Sequence, residues 1–96
     1  MAADVVIYTT NYCPYCTRAK SLLNQKKAAF REVNVEDRQD LREWLLKRSG
    51  QRTVPQVFVN GRALGGFNDI AALDRKGELD GLLASTPGTS DLELPT

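Results

Sequence analysis

The chain predicts an α/β fold: one four-stranded mixed sheet with helices on both faces, in the order β-α-β-α-β-β-α. Three observations carry this. Val5-Val6-Ile7-Tyr8-Thr9 is a β-branched, nearly unbroken apolar run, as in a strand covered on both faces. Stretches with helical apolar spacing then alternate with a second strand pattern. Finally, Asn60-Gly61 separates two short apolar runs, the strongest two-residue hairpin signal.

The elements follow in order. Residues 5 to 9 should form a central strand. From Tyr15 to Lys27 the apolar residues Ala19, Leu22 and Leu23 recur at helical spacing, with Pro14 where a first turn tolerates it. Phe30 to Val35 reads as a second strand with Val33 and Val35 on one face. Asp37 then offers an N-cap to a helix carrying Leu41, Trp44 and Leu45, closed by Gly50. Gln56 to Val59 and Arg62 to Leu64 form the hairpin, and Gly65-Gly66 breaks the pattern. Asn68 can cap a helix through Ile70, Ala72 and Leu73 that stops near Gly77, and a last short helix covers Leu79 to Ala84. A helix of crossover length between the first two strands makes them parallel, while the hairpin pair is antiparallel. Tyr8 and Phe58, being strand aromatics, and Trp44, on a helical stripe, are expected to pack in the core.

At 96 residues and 42% apolar the chain has room for one compact domain, expected over residues 1 to 84. Residues 85 to 96, polar and without periodicity, read as a flexible tail. Thirteen basic against twelve acidic residues give a net charge of +1, so no charge field points to nucleic acid or a membrane surface. The N-terminus has no basic region and only a five-residue apolar run, which argues against a secretory signal or a membrane span; a cytoplasmic protein is expected.

Both cysteines of the chain lie in Cys13-Pro14-Tyr15-Cys16, directly after the first strand and at the start of the first helix. In a reducing compartment such a pair is catalytic or metal-binding rather than structural. A tetrahedral zinc site needs four ligands, and the chain has no histidine and no third cysteine, so no metal is expected. Cys13, at or just before the helix start, faces unsatisfied N–H groups and the positive end of the dipole, which favour a thiolate. It is the expected nucleophile. Cys16, one turn further in, is the expected resolving thiol.

Cys-Pro-Tyr-Cys preceded by Tyr12, together with Thr53-Val54-Pro55 and Gly65-Gly66-Phe67-Asn68-Asp69, resembles the three signature segments of dithiol glutaredoxins, in order and at matching spacing over roughly residues 4 to 84. The resemblance implies a thioredoxin-like fold and a glutathione-dependent thiol–disulfide oxidoreductase. Its partners would be glutathione, as co-substrate, and glutathionylated or disulfide-containing proteins, with the enzyme a monomer. It implies a cis Val54–Pro55 bond facing the cysteines, with the Val54 backbone pairing with glutathione by strand addition. Thr53, Val54, Pro55, Gly66, Phe67, Asn68 and Asp69 would bind glutathione, with Tyr15 an exposed stacking surface. The helix start there presents N–H groups to a carboxylate, and Asp69 can accept from an ammonium group. Two positions depart from the family: Thr10 stands where a lysine usually meets the glycyl carboxylate, leaving Arg42 on the second helix to do so, and Asn68 replaces an acidic or hydroxyl residue. Two alternatives stay open, a redoxin fed by thioredoxin reductase and a dimeric iron–sulfur cluster carrier. The family associates the latter with a smaller residue in place of Pro14.

Overall fold

The structure, a computed structural model, describes residues 3–51 and 53–84; the expected tail at 85–96 lies outside the described residues. Its elements are β1 (Val5–Thr9), α1 (Pro14–Gln25), β2 (Phe30–Asn34), α2 (Gln39–Ser49), β3 (Gln56–Val59), β4 (Arg62–Gly65), α3 (Phe67–Arg75) and α4 (Leu79–Ala84). The strands form one mixed sheet in the order β2-β1-β3-β4, with β1 parallel to β2 and antiparallel to β3, and β3 antiparallel to β4. The central place of β1 explains its composition. Val5 and Ile7 pack under α1, α3 and α4 with Ala19, Leu23, Ile70 and Leu79; Val6 and Tyr8 pack under α2 with Leu41, Leu45 and Phe58. All five β1 residues are buried, so apolar and polar residues have no reason to alternate.

Tyr8, Phe58 and Trp44 form one aromatic cluster, with ring centroids 5.4 to 5.6 Å apart. Burial pushes the Tyr8 phenol up to about 12, with the charges of Arg31 and Arg48 opposing. At the hairpin, Asn60 and Gly61 take φ of 52° and 81°, the positive pair that a two-residue turn needs to match the strand twist. The Asn60 side chain also accepts from the Asp4 amide at 2.8 Å.

The element boundaries differ from the pattern at both predicted N-caps, while Gly50 closes α2 as expected, with φ of 77°. Arg38, not Asp37, holds the N-cap of α2, and no side chain caps it. The Arg38 amide is drawn into a turn with Val35 O (3.1 Å), which leaves Asp37 inside the turn, one residue ahead of the cap. Gly66, not Asn68, holds the N-cap of α3: Asp69, at the third helical position, accepts from the Gly66 N–H at 2.9 Å, so the helix starts two residues earlier. Helix α1 starts at Pro14 and ends at Gln25, and Lys27 turns the chain away with φ of 57°. Lys26, beyond its end, is ion-paired to Asp74 of α3 and Asp80 of α4, tying the three helices of that face together.

Candidate active site

Strand β1 delivers the chain to the cysteines at its carboxyl end. The loop between is held to β2 by polar contacts: Asn34 Nδ2 donates to Asn11 Oδ1 (2.8 Å), and the Asn11 N–H donates to Glu36 Oε1 (3.1 Å). Below it, Glu32 accepts from the Thr9 hydroxyl (2.8 Å) and from Lys20 (3.0 Å). Burial works against ionisation of Glu32, yet these two hydrogen bonds and the Lys20 charge hold its carboxyl below the usual range.

Cys13 is the N-cap residue of α1, and its Sγ accepts from the Cys16 N–H at 3.0 Å. A serine or aspartate oxygen makes the same contact at ordinary helix starts. Sulfur in that place meets a donor and the positive end of the helix, and α1 has no acidic residue in its first turn to oppose this. Cys13 and Cys16 are joined in a disulfide. Cys13 is half-buried whereas Cys16 is 2% exposed, so an incoming sulfur reaches Cys13 first.

Beside the disulfide lies a groove of about 390 Å³ lined by Tyr15, Thr53, Val54, Pro55, Gly66 to Asp69, and Gln51. Val54 joins the two, its carbonyl oxygen lying 3.8 Å from Cys13 Sγ. The Val54–Pro55 peptide is cis. Gly66 lets the chain pass close to Pro55, since a Cβ there would stand 3.2 Å from the Pro55 carbonyl. At the far end α3 begins, its first amides lacking intrahelical acceptors as at every helix start, with Asp69 beside them. Tyr15 walls the groove, 51% exposed, its ring 6.3 Å from that of Phe67 and covered by Arg18 at 5.2 Å.

The fold thus brings together ten predicted residues: the two cysteines, Tyr15, Thr53, Val54, Pro55, Gly66, Phe67, Asn68 and Asp69. It does not bring Arg42 to the groove wall. The Arg42 guanidinium is engaged by carbonyls beyond β2, Nε donating to Val35 O (3.0 Å) and Nη2 to Glu36 O (3.5 Å).

Gln51 was not expected. Buried Gln56 at the start of β3 donates through Nε2 to Thr53 O and to Gln51 Oε1, both at 2.9 Å. A backbone carbonyl only accepts, so the Gln56 nitrogen must face it and Gln51 must present its oxygen to the same nitrogen. The Gln51 NH₂ is left as the donor. The arrangement leaves Gln56 Oε1 buried without a hydrogen-bond partner among the described residues. The one trace of this in the sequence is a glutamine opening an otherwise apolar strand, a buried polar group that must find partners. Among the described residues no group of three or more Cys, Asp or Glu is placed to hold a metal ion.

A thioredoxin-like sheet, with a Cys-x-x-Cys disulfide capping α1 and a cis-proline loop across from it, defines a thiol–disulfide oxidoreductase. Residues 5–64 match the glutaredoxin family profile. The chain is 48% identical over 81 residues to glutaredoxin 3 of Escherichia coli (strain K12), covering 84% of this chain and 98% of that protein. A crystal structure of the buckwheat glutaredoxin–glutathione complex superposes with a TM-score of 0.79 at 33% identity, covering 84% of this chain and 76% of that one. The holo form of glutaredoxin C1 from Populus tremula x tremuloides gives 0.81 at 36% identity over 93% and 86%. The chain belongs to the glutaredoxin family.

Proposed function

We propose that the protein reduces protein–glutathione mixed disulfides and protein disulfides at the expense of glutathione, with Cys13 as nucleophile and Cys16 as resolving thiol. The observation that carries this is the groove running from the disulfide, along the Val54 backbone, to the start of α3. Its dimensions and chemistry suit a short peptide with a carboxylate at each end. The γ-glutamyl carboxylate would meet the first amides of α3, and its ammonium group Asp69, which keeps one carboxylate oxygen beyond its bond to Gly66. The cysteinyl backbone would pair with Val54, and the glycyl carboxylate would lie toward Thr53 and Gln51. A crystal structure of buckwheat glutaredoxin holds it in complex with glutathione.

In the mixed-disulfide reaction, the Cys13 thiolate attacks the glutathione sulfur. The old S–S bond breaks, and the protein leaves as a thiolate that takes up a proton. A second glutathione thiolate then attacks the Cys13 adduct, releasing glutathione disulfide and Cys13. In the protein-disulfide reaction, Cys13 forms the mixed disulfide with one substrate sulfur and frees the other. Cys16 then attacks Cys13, freeing the second substrate thiol and closing the Cys13–Cys16 disulfide, which two glutathiones reduce. The Cys16 N–H that meets Cys13 Sγ in the disulfide is placed to favour the Cys13 thiolate that makes the first attack in both routes.

The test supplies a glutathionylated protein and a disulfide-bonded protein, each with glutathione plus its reductase or with thioredoxin reductase as electron source. Turnover is expected with the first source. Cys16→Ser should keep deglutathionylation and lose the dithiol route; Cys13→Ser should lose both. Turnover with thioredoxin reductase alone, or activity surviving in the Cys13 variant and not the Cys16 variant, overturns the reading.

A further inference from the structure

A second groove of about 390 Å³ lies between α1 and α3, on the other side of the Tyr15–Phe67 wall. Leu22, Phe67 and Ala71 give it apolar walls, and Arg18, Asp74 and Arg75 give it charge. Phe67 lines both grooves, so the second adjoins the first across that side chain.

The charges are unevenly matched. Asp74 is ion-paired to Lys26, which also holds Asp80 at 3.1 Å. Arg18 and Arg75 are exposed, and neither has an ion pair among the described residues. Arg18 is held by its stack on Tyr15, so one guanidinium is fixed at the end nearer the disulfide while Arg75 stands in the last turn of α3. An apolar trough between two arginines without an ion pair among the described residues, one of them stacked on the Tyr15 ring that stands between the two cysteines, suits an acidic chain segment with an apolar side chain.

Resting on the function proposed above, we propose that this groove docks the polypeptide of a disulfide substrate, selecting proteins with acidic residues and an apolar residue next to the reactive cysteine. On the function proposed above, a glutathione moiety occupies the first groove, and the second is left to the polypeptide of a protein substrate. The second groove therefore acts on protein substrates and leaves small disulfides unaffected. It raises the rate of productive encounter, chiefly at low salt, where exposed charges are least screened.

The probes are two peptides of equal length, each closed by one internal disulfide. They share a leucine beside the first cysteine and differ in having three aspartates or three lysines around it. The third substrate is the mixed disulfide of glutathione and 2-mercaptoethanol. With the full chain, kcat/KM for the aspartate peptide should exceed that for the lysine peptide by about tenfold at low salt, and the ratio should shrink at high salt. Arg75→Glu should bring the ratio near or below one, and Arg75→Gln should give an intermediate ratio; both should leave the small mixed disulfide unchanged. Failure of the small mixed disulfide in the unaltered protein refutes the proposed function, whereas its turnover with a peptide ratio near one refutes only the docking groove. A ratio that survives Arg75→Glu also overturns the groove. So does a gain for both peptides alike, since the occupant would then be the chain's own acidic residues Asp91 and Glu93.

Discussion

At the scale of the residue, what distinguishes this site is how the glycyl end of a bound glutathione would be met. Thr10 carries no charge, and the Arg42 guanidinium is already bonded to the carbonyls of Val35 and Glu36. Gln51, by contrast, lines the groove with its oxygen pinned by Gln56 and its NH₂ available. Removing that donor by Gln51→Ala should raise the apparent KM for glutathione by roughly fivefold, about 1 kcal/mol, with kcat little changed. Gln51→Glu keeps the bond from Gln56 but turns a carboxylate toward a carboxylate, and should raise KM further. Arg42→Ala should change KM less than Gln51→Ala does. The order is read from initial rates across a glutathione series; a larger effect at Arg42 would mean that its guanidinium leaves the Val35 and Glu36 carbonyls when ligand binds. The cysteines themselves are legible from the chain, because their reactivity depends on a spacing of three and a helix start. Gln51 is not, because its role depends on a partner that the fold buries.

At the scale of the element, the start of α3 is the most constrained part of the site. Gly65 closes β4 with φ of 108°, and a side chain there would run into the Asp69 carboxylate that binds the Gly66 N–H. Gly65→Ala should therefore destabilise the protein by about 1–3 kcal/mol and weaken glutathione binding together, because strain and loss of the cap fall on the same turn. Urea midpoints and the glutathione KM measure the two effects. A variant as stable as the parent would show that Asp69 does not need its present rotamer. The helix itself was visible in its apolar spacing, but its first residue was not. Asn68 has the chemistry of an N-cap, and Asp69 reaching back to Gly66 takes precedence over it.

For the molecule as a whole, the aromatic cluster under α2 makes stability depend on alkaline pH. Tyr8 titrates near 12 when folded against an ordinary 10.0, because burial disfavours the phenolate. The folded state thus holds its proton more tightly. The resulting stability is complete below pH 10 and is lost as pH rises from 10 through about 12, to the extent of roughly 2–3 kcal/mol. Lys26, also raised by its hydrogen bonds to Asp74 and Asp80, acts in the same direction, its contribution present below 10.5 and lost above. Urea midpoints between pH 8 and 11.5 should fall above pH 10, and Tyr8→Phe should flatten the fall without removing the share due to Lys26. A Tyr8→Phe curve parallel to that of the parent would place the alkaline loss elsewhere.

The sequence by itself determined whatever depends on neighbours along the chain. The unbroken apolar β1 pointed to a covered strand, Asn60-Gly61 to a tight turn, and two cysteines three apart at a helix start to a redox pair. Tertiary structure decided whatever depends on residues brought together from afar. It set Arg42 against the end of β2, aimed the Gln51 amide through Gln56, and laid the start of α3 beside Val54. The physical reason is that local signals record backbone preference, which each short segment expresses alone. A hydrogen bond to a side chain buried in another element has no counterpart in the segment that receives it, and exists only once the sheet has been covered on both faces.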